Sequence, residues 1–257
     1  MVKRTILAFA LAAAATAGAA ATAAAAAGPA TPAWDRALQR HQRDGGLDYA
    51  ALETDRGDLD AFLASLAGVE PGRLGRDEQL AFWINAYNAV VAHFVLERYP
   101  GIESVKKVDG FFDRFTYPVA GKPRVLNDVE AEARRLDPRV HFAVVCASAS
   151  CPDLRGEAYA GYRVDGQLAD QTAKFLADPG KGLRYDAEAN TLWLSSIFKW
   201  YAGDFTGGST VVAFFARGRV VDWILPQLAD RGLAETIDRR NPAVRYLDYD
   251  WSLNDRP

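Results

Sequence analysis

The amino-acid sequence predicts an α+β protein: a single domain in which a buried central helix packs with a small mixed or antiparallel sheet. The first observation is the segment from Asp77 to Tyr99, whose apolar side chains fall on nearly every side of a helix, as in a helix enclosed by protein. The second is that helical and extended segments mix without a regular βαβ period, which argues against a doubly wound sheet. The third is length, because about 230 residues after an N-terminal leader suit one domain with a substantial core.

The leader, residues 1–27, has the pattern of a signal peptide. Lys3 and Arg4 precede an apolar run from Ile6 to about Ala15, and small residues, mostly alanine, continue to Ala27. The strongly apolar part is too short for a comfortable membrane span, and no cysteine follows it as a site for a lipid anchor. We therefore expect cleavage, a periplasmic or secreted protein, and no stable membrane span after the leader is removed.

The charge balance bears on the partners. Removing Lys3 and Arg4 from the 30 basic residues leaves 28 against 33 acidic residues, a net charge of −5. A nucleic-acid partner would need a concentrated basic face, which the sequence does not offer. We therefore expect a small molecule or a peptide as partner, and no nucleic acid.

The predicted elements follow a linker over residues 28–33, and the domain spans residues 34–257. Predicted helices cover residues 34–43, 58–66, 77–99, 128–136, 164–176, 210–216 and 221–228. Predicted strands cover a hairpin over 115–119 and 124–125, an interior strand over 140–145, and residues 183–185, 191–194 and 245–249, with a short helical or extended piece over 196–200. Pro100 and Gly101 end the central helix, and Asn127 with Glu130 resembles a capping arrangement for the next one.

Two cysteines, Cys146 and Cys151, lie in the segment CASASCP directly after the predicted interior strand. Loops that follow a rigid element often carry functional sites. In an oxidising compartment, a close pair of cysteines is first interpreted as a disulfide. The alternatives are a thiolate nucleophile at Cys146 or a redox pair, the latter less favoured because CxxxxC is not the CxxC redox motif.

His141 is the candidate base closest to Cys146 in sequence, and it could equally be a histidine satisfied within the core. Side chains alternate along a strand, so residues five apart point to opposite faces, and a dyad requires the loop to turn Cys146 around. His93 on the central helix is the other candidate base, whereas His41 lies on a peripheral helix. So few histidines and cysteines predict no metal site.

Asn85 and Asn88 lie three residues apart on the central helix and therefore share a face. Buried amides need hydrogen-bond partners, so one interpretation is that both bind the backbone of nearby loops. The other is that they line a pocket and donate hydrogen bonds to a substrate carbonyl.

Acidic residues beside aromatic ones mark two further segments. Asp204 follows Trp200 and Tyr201, and Asp250 precedes Trp251. Such carboxylates can orient a histidine or bind a ligand, but they more often cap helices and satisfy loops.

Several catalytic motifs are absent from the sequence. It has no G-x-S-x-G elbow, no phosphate-binding glycine loop, no dinucleotide fingerprint and no H-E-x-x-H helix. Their absence disfavours the common serine hydrolases, nucleotide-dependent enzymes and zinc peptidases, and no cofactor is expected.

Five blocks between about Phe82 and Asn254 together resemble the domain of unknown function family 547: FWINAYNAVVAH, RVLNDVEAEARRL, HFAVVCASASCPDL, LSSIFKWYAGDF and YLDYDWSLN. The family has no settled activity to carry over. The resemblance implies a single folded unit with marked positions at Trp83, Asn85, Asn88, His141, Cys146, Cys151, Pro152, Trp200, Tyr201, Asp204, Asp250 and Trp251. If some members of the family lack a cysteine at the place of Cys151, a disulfide cannot be the general purpose of this loop, and a functional thiol at Cys146 is favoured.

These residues support two main hypotheses. The favoured one is an exported module that binds a small molecule or peptide in a pocket near the Cys146 loop, through Asn88, Trp200, Tyr201, Asp204, Asp250 and Trp251. The alternative is a thiol-dependent acyl transferase or hydrolase with Cys146 as nucleophile, His141 or His93 as base, and Asn85 or Asn88 as oxyanion donor. A third, less favoured hypothesis is a thiol–disulfide partner.

Overall fold

The computed structural model describes residues 30–207 and 216–257. The predicted leader, the first two linker residues and all but the last residue of the predicted helix over 210–216 lie outside the described residues.

The described residues form helices and three small sheets, which confirms the predicted α+β class. The helices are α1 (Thr31–His41), α2 (Tyr49–Thr54), α3 (Gly57–Ser65), α4 (Arg76–Leu96), α5 (Leu126–Arg134), α6 (Val164–Ala177), α7 (Ile197–Trp200), α8 (Ala202–Phe205), α9 (Ala216–Ile224) and α10 (Arg231–Arg240). The strands are β1 (Gln42–Arg43), β2 (Gly46–Leu47), β3 (Thr116–Val119), β4 (Lys122–Val125), β5 (Leu183–Asp186), β6 (Thr191–Leu194) and β7 (Ala243–Tyr246). β1–β2 and β3–β4 are antiparallel pairs, whereas β6 pairs antiparallel with β5 and parallel with β7.

Helix α4 is the predicted central helix. Sixteen of its 21 residues are buried, because its apolar side chains face outward in every direction and each direction is covered by protein. It begins after Gly75, whose N–H donates to Oε2 of Glu78 at 2.7 Å. Helix α5 makes the most extensive contact with it, and α3, α6 and α1 also pack on it.

By length and composition alone, α4 could cross a membrane, and it is the one such helix among the described residues. Its most apolar window is 89% buried inside the protein, which is the arrangement of a core helix. The absence of a stable membrane span remains a prediction.

The core has two clusters of buried side chains. The larger surrounds α4, and the smaller includes Phe142, the end of α6 and the three-stranded sheet. The sheet contributes Leu183, Leu192 and Leu194 to this smaller cluster, so the larger part of the core around α4 is built mainly by helices.

The interior strand predicted over residues 140–145 was wrong. A 3₁₀ helix (Pro138–Phe142) occupies the first part, with Asp137 accepting a hydrogen bond from the N–H of Arg139 at 2.8 Å, and the backbone then continues without regular structure to Cys146. The apolar run shows that the segment is buried, but periodicity alone cannot distinguish a buried strand from another buried conformation. His141 and Cys146 therefore do not lie on one strand, and no strand geometry sends their side chains to opposite faces.

Smaller differences concern the ends of elements. Helices α2 and α10 were not predicted, although each begins at an aspartate cap, Asp48 and Asp230. Helix α5 starts at Leu126, so Asn127 lies inside it and does not cap it. Strand β7 ends at Tyr246 rather than at residue 249, which leaves the chain beyond it free to cross to the Cys146 loop.

Candidate functional site

A pocket of about 380 Å³ opens beside the loop that carries Cys146 and Cys151. Its walls come from distant parts of the chain: α4, the 105–113 segment, α5, the 3₁₀ helix with His141, α7 and the C-terminal segment. The polar, sulfur-bearing and aromatic side chains of its lining include Lys106, Asn127, Glu130, His141, Cys146, Cys151, Trp200, Tyr201, Tyr249 and Trp251.

The two sulfur atoms of Cys146 and Cys151 lie at disulfide distance, with Cα atoms 6.3 Å apart, as the first interpretation of this pair predicts. Ala147, between them, has a φ of 62°, a left-handed conformation that turns the loop sharply. Cys151 is 3% exposed, and Cys146 is only partly buried.

The C-terminal segment holds this loop in place. The N–H of Ala149 donates to the carbonyl of Ser252 at 2.8 Å, and the N–H of Ser150 donates to the carbonyl of Asp250 at 3.1 Å. In return, the N–H of Asp250 donates to Oγ of Ser150 at 2.9 Å. The loop therefore gains a fixed backbone although it belongs to no regular element.

Both sulfurs have polar neighbours. Sγ of Cys146 lies 3.1 Å from the Ser148 hydroxyl and 3.5 Å from the Tyr249 hydroxyl, and Sγ of Cys151 accepts two hydrogen bonds. The N–H of Cys146 donates to Sγ of Cys151 at 2.9 Å, and the hydroxyl of Tyr249 donates to the same atom at 3.3 Å. The Ser148 hydroxyl in turn donates to the Tyr249 oxygen at 3.2 Å. Burial raises the pKa of Tyr249 to about 12, so its hydroxyl stays protonated at neutral pH.

His141 is 3% exposed and lines the pocket, with Asp204 beside it. Nε2 of His141 lies 2.6 Å from Oδ2 of Asp204, and Nε of Arg134 donates to the same oxygen at 2.7 Å. Burial opposes ionisation, but the hydrogen bonds from His141 and Arg134 outweigh it and lower the pKa of Asp204 to about 2. An ionised carboxylate only accepts, so Nε2 of His141 carries a proton and donates it to Asp204.

Glu130 is a buried carboxyl group in the same pocket that sequence reasoning missed as a site residue. Burial raises its pKa, although the nearby charges of His141 and Arg134 and the hydrogen bond from Tyr201 lower it. Tyr201 contacts both of these neighbours, since its ring lies 4.1 Å from the His141 ring and 4.5 Å from the Arg134 guanidinium. The available signal was that Glu130 follows Val129 on the inner face of an amphipathic helix.

Aromatic rings form the outer wall of the pocket. The ring of Tyr249 lies 4.8 Å from that of Trp200 and 4.7 Å from that of Trp251. Trp200 is 47% exposed, an unusual exposure for so large an apolar side chain. Nζ of Lys106 lies 5.1 Å from the Trp251 ring, which places a positive charge at the rim.

The structure thus brings together most of the residues singled out in the sequence. Cys146, Cys151, His141, Trp200, Tyr201 and Trp251 all line the pocket, and Asp204 contacts His141 without lining it.

The two asparagines of α4 bind the backbone of nearby loops, which was the first of the two interpretations of this pair. Nδ2 of Asn88 donates to the carbonyl of Ala143 at 3.0 Å, and its Oδ1 accepts from the N–H of Val145 at 2.8 Å. Asn85 exchanges the same pair of bonds with the backbone of Tyr159, at 2.8 and 2.9 Å, and lines a different cavity. Asn88 therefore positions the chain leading to Cys146.

Two other predicted residues lie away from the pocket. Asp250 is exposed, and its carboxylate accepts a hydrogen bond from the N–H of Ser252 at 2.8 Å. His93 contacts Glu97 at 3.2 Å, one turn along α4, and is not among the pocket residues. Of the two candidate bases, His141 is the one beside Cys146 in the pocket.

Across residues 30–207 and 216–257, no group of three or more His, Cys, Asp or Glu side chains is arranged to hold a metal ion.

Residues 71–176 match the model of a family described as protein of unknown function, DUF547. The DUF547 match confirms the resemblance over α4, α5, His141 and the Cys146–Cys151 loop, and it ends before Trp200, Asp204 and Tyr249. No curated protein and no solved structure matches the chain significantly.

Proposed function

We propose that this protein is an exported module that binds a small molecule or a short peptide in the pocket beside the Cys146–Cys151 loop. The observation that carries the proposal is the pocket itself, since about 380 Å³ with aromatic walls and a few convergent polar groups is typical of ligand sites. Export is supported by the pattern of the leader and by cysteines at disulfide distance, which suit an oxidising compartment.

The lining predicts how a ligand is recognised. Trp200, Tyr249 and Trp251 offer broad ring faces for apolar or aromatic groups. The buried Glu130 and the exposed Asn127, both in the lining, offer hydrogen bonds that fix the orientation of a polar group such as a peptide amide. Lys106 at the rim favours a ligand with a carboxylate at its outer end.

A screen of dipeptides and tripeptides by ligand-observed NMR tests this proposal. We expect binders whose signals broaden with the wild-type protein and recover with Trp200→Ala, because this substitution removes an exposed wall without touching the core. Tyr162→Ala is the control, since Tyr162 is 88% exposed and lies outside the pocket. The proposal fails if no peptide binds, or if the binders are unaffected by Trp200→Ala.

A second candidate function is thiol-dependent acyl transfer or hydrolysis. It is favoured by Cys146 and His141 lining one pocket while Asp204 orients the His141 ring at 2.6 Å. Because the disulfide leaves no free nucleophile, Cys146 would act only after reduction. Asn85 and Asn88 are engaged with loop backbone, so the oxyanion would need other donors.

Turnover of p-nitrophenyl acetate by the reduced protein tests this second candidate. We expect an initial burst of nitrophenolate that matches the protein concentration and disappears in Cys146→Ser. A burst that persists in Cys146→Ser, or no burst in a protein whose thiols are shown to be free, rules it out.

A further inference from the structure

The two sulfurs of the Cys146–Cys151 disulfide have unequal surroundings. Cys151 is almost fully buried and accepts hydrogen bonds from the N–H of Cys146 at 2.9 Å and from the Tyr249 hydroxyl at 3.3 Å. Cys146 is partly buried and faces the same pocket. The polar neighbours of Sγ of Cys146 are the hydroxyls of Ser148 at 3.1 Å and Tyr249 at 3.5 Å. Because Cys146 is the more exposed of the two cysteines, an attacking group reaches it more easily. The backbone N–H at 2.9 Å and the nearer Tyr249 hydroxyl favour charge at Cys151.

We propose that the Cys146–Cys151 disulfide exchanges with a thiol-bearing ligand in the pocket, with Cys146 accepting the incoming sulfur and Cys151 as the leaving group. This inference rests on the proposed function, since the thiol must enter the same pocket. It assigns the ligand a chemical class, an aliphatic thiol carried by a small molecule or by a cysteine of a peptide.

The exchange balances without another reagent. The incoming thiol gives its proton to water and reacts as the thiolate. The thiolate attacks Sγ of Cys146, a new S–S bond forms, and the Cys146–Cys151 bond breaks with its electron pair on Sγ of Cys151. One disulfide and one thiol are consumed, and one mixed disulfide, one thiolate and one proton are formed.

The donors around Cys151 are already arranged for this product. The Ser148 hydroxyl donates to Tyr249, whose own hydroxyl is thereby directed at Sγ of Cys151. A donor that is itself an acceptor in a chain of hydrogen bonds is polarised and strengthened. The two donors to Sγ of Cys151, the N–H of Cys146 and the Tyr249 hydroxyl, lie next to a neutral sulfur before exchange and a charged one after it, so they favour the charged state.

The test uses the oxidised full-length mature protein with two probes, reduced glutathione and a short peptide containing one cysteine. N-ethylmaleimide quenches each reaction, because it traps the released Cys151 before the mixed disulfide can close again. Peptide mapping by mass spectrometry should find the probe on Cys146 and the maleimide on Cys151 of the same molecule. A probe attached to Cys151, or to both cysteines equally, overturns the inference, as does the absence of any adduct with either probe.

The two probes distinguish the sources of the thiol, because the faster saturating reaction identifies a free low-mass thiol or a peptide cysteine as the ligand. Copies of the probes with serine in place of cysteine report binding alone. Binding of these copies without exchange overturns this inference and leaves the proposed function standing. If neither copy binds and the exchange rate rises linearly with probe concentration, the thiol does not use the pocket and the inference is overturned.

Tyr249→Phe tests the role of the leaving group. Loss of a hydrogen bond to a charged atom should slow the exchange about tenfold, while the disulfide and the fold remain. Ser148→Ala should slow it less, because the Ser148 hydroxyl contacts Sγ of Cys146 directly and acts on Cys151 only through Tyr249. Tyr162→Phe is the matched control on the exposed surface and should keep the wild-type rate. An unchanged rate in Tyr249→Phe, with its disulfide verified by thiol titration, contradicts the assignment of Cys151 as the leaving group.

Discussion

Nε2 of His141 and Oδ2 of Asp204 lie 2.6 Å apart, although the two residues are separated by 63 positions in the chain. The contact joins the 3₁₀ helix before the Cys146 loop to α8, and Arg134 of α5 completes it from a third element. One carboxylate therefore fixes the position of the histidine that lines the pocket.

Asp204→Asn should make the protein less stable in a pH-dependent way. Because the folded-state pKa of Asp204 is lowered to about 2, its contribution is fully present above its ordinary pKa near 4 and is lost as the pH falls toward 2. After allowance for screening by solvent, we expect a loss of about 1 kcal/mol at pH 7. Urea unfolding at pH 7 and pH 3 measures the difference from wild type. A difference that grows on acidification would contradict this account.

Glu130→Gln should stabilise the protein with the opposite pH dependence. The folded-state pKa of Glu130 is raised, so the carboxyl group contributes stability below its ordinary pKa, and that contribution is lost as the pH rises through the raised value. Because glutamine stays neutral, the free energy of unfolding of Glu130→Gln should exceed that of wild type by an increasing amount between pH 4 and pH 8. The exposed Glu53→Gln serves as the control and should show a much smaller gain. An equal gain in both variants would count against a buried Glu130 in the pocket.

Asn88→Ala should destabilise the protein strongly. It leaves the carbonyl of Ala143 and the N–H of Val145 buried without their partner, at a cost of about 2–4 kcal/mol. Gln39→Ala is the control, because Gln39 is exposed and bonds only Asp35 on the surface, and its effect should stay within about 0.5 kcal/mol. Urea unfolding separates the two outcomes, and similar small losses in both would mean that Asn88 does not hold the loop.

Removal of the disulfide should cost the same whether one or both cysteines are replaced. A loop this short gains about 2 kcal/mol from the cross-link in the chain-entropy description. Cys146→Ser, Cys151→Ser and the double variant should therefore lose similar amounts of unfolding free energy, and dithiothreitol should bring wild type to the same level. Losses that add up in the double variant would show that the cysteines act separately.

The central helix could be predicted because its signal is local. An apolar run of this length without a polar face is stable only in apolar surroundings, and α4 finds them in the interior of the protein. The segment around Phe142 and Val144 misled the prediction, because a buried 3₁₀ turn and a buried strand have the same apolar composition. What decides between them is the backbone's partner, and here that partner is Asn88 rather than a neighbouring strand.

Part of the site could be predicted because its signal in the sequence is also local. Trp200, Tyr201 and Asp204 attracted notice because acids beside aromatics are a local pattern, and the structure places all three in or against the pocket. Glu130 and Tyr249 were missed as pocket residues, because their roles come from contacts with residues far away in the chain. A single sequence gives no direct sign of such contacts.

The most direct test of the ligand pocket is a titration of the protein with the tightest-binding peptide, followed by NMR of the tryptophan indole N–H signals. The account predicts that the signals of Trp200 and Trp251 shift while that of Trp34, buried in the core beside Phe62, stays in place. Shifts confined to Trp34 or Trp193, with Trp200 and Trp251 unchanged, would contradict it.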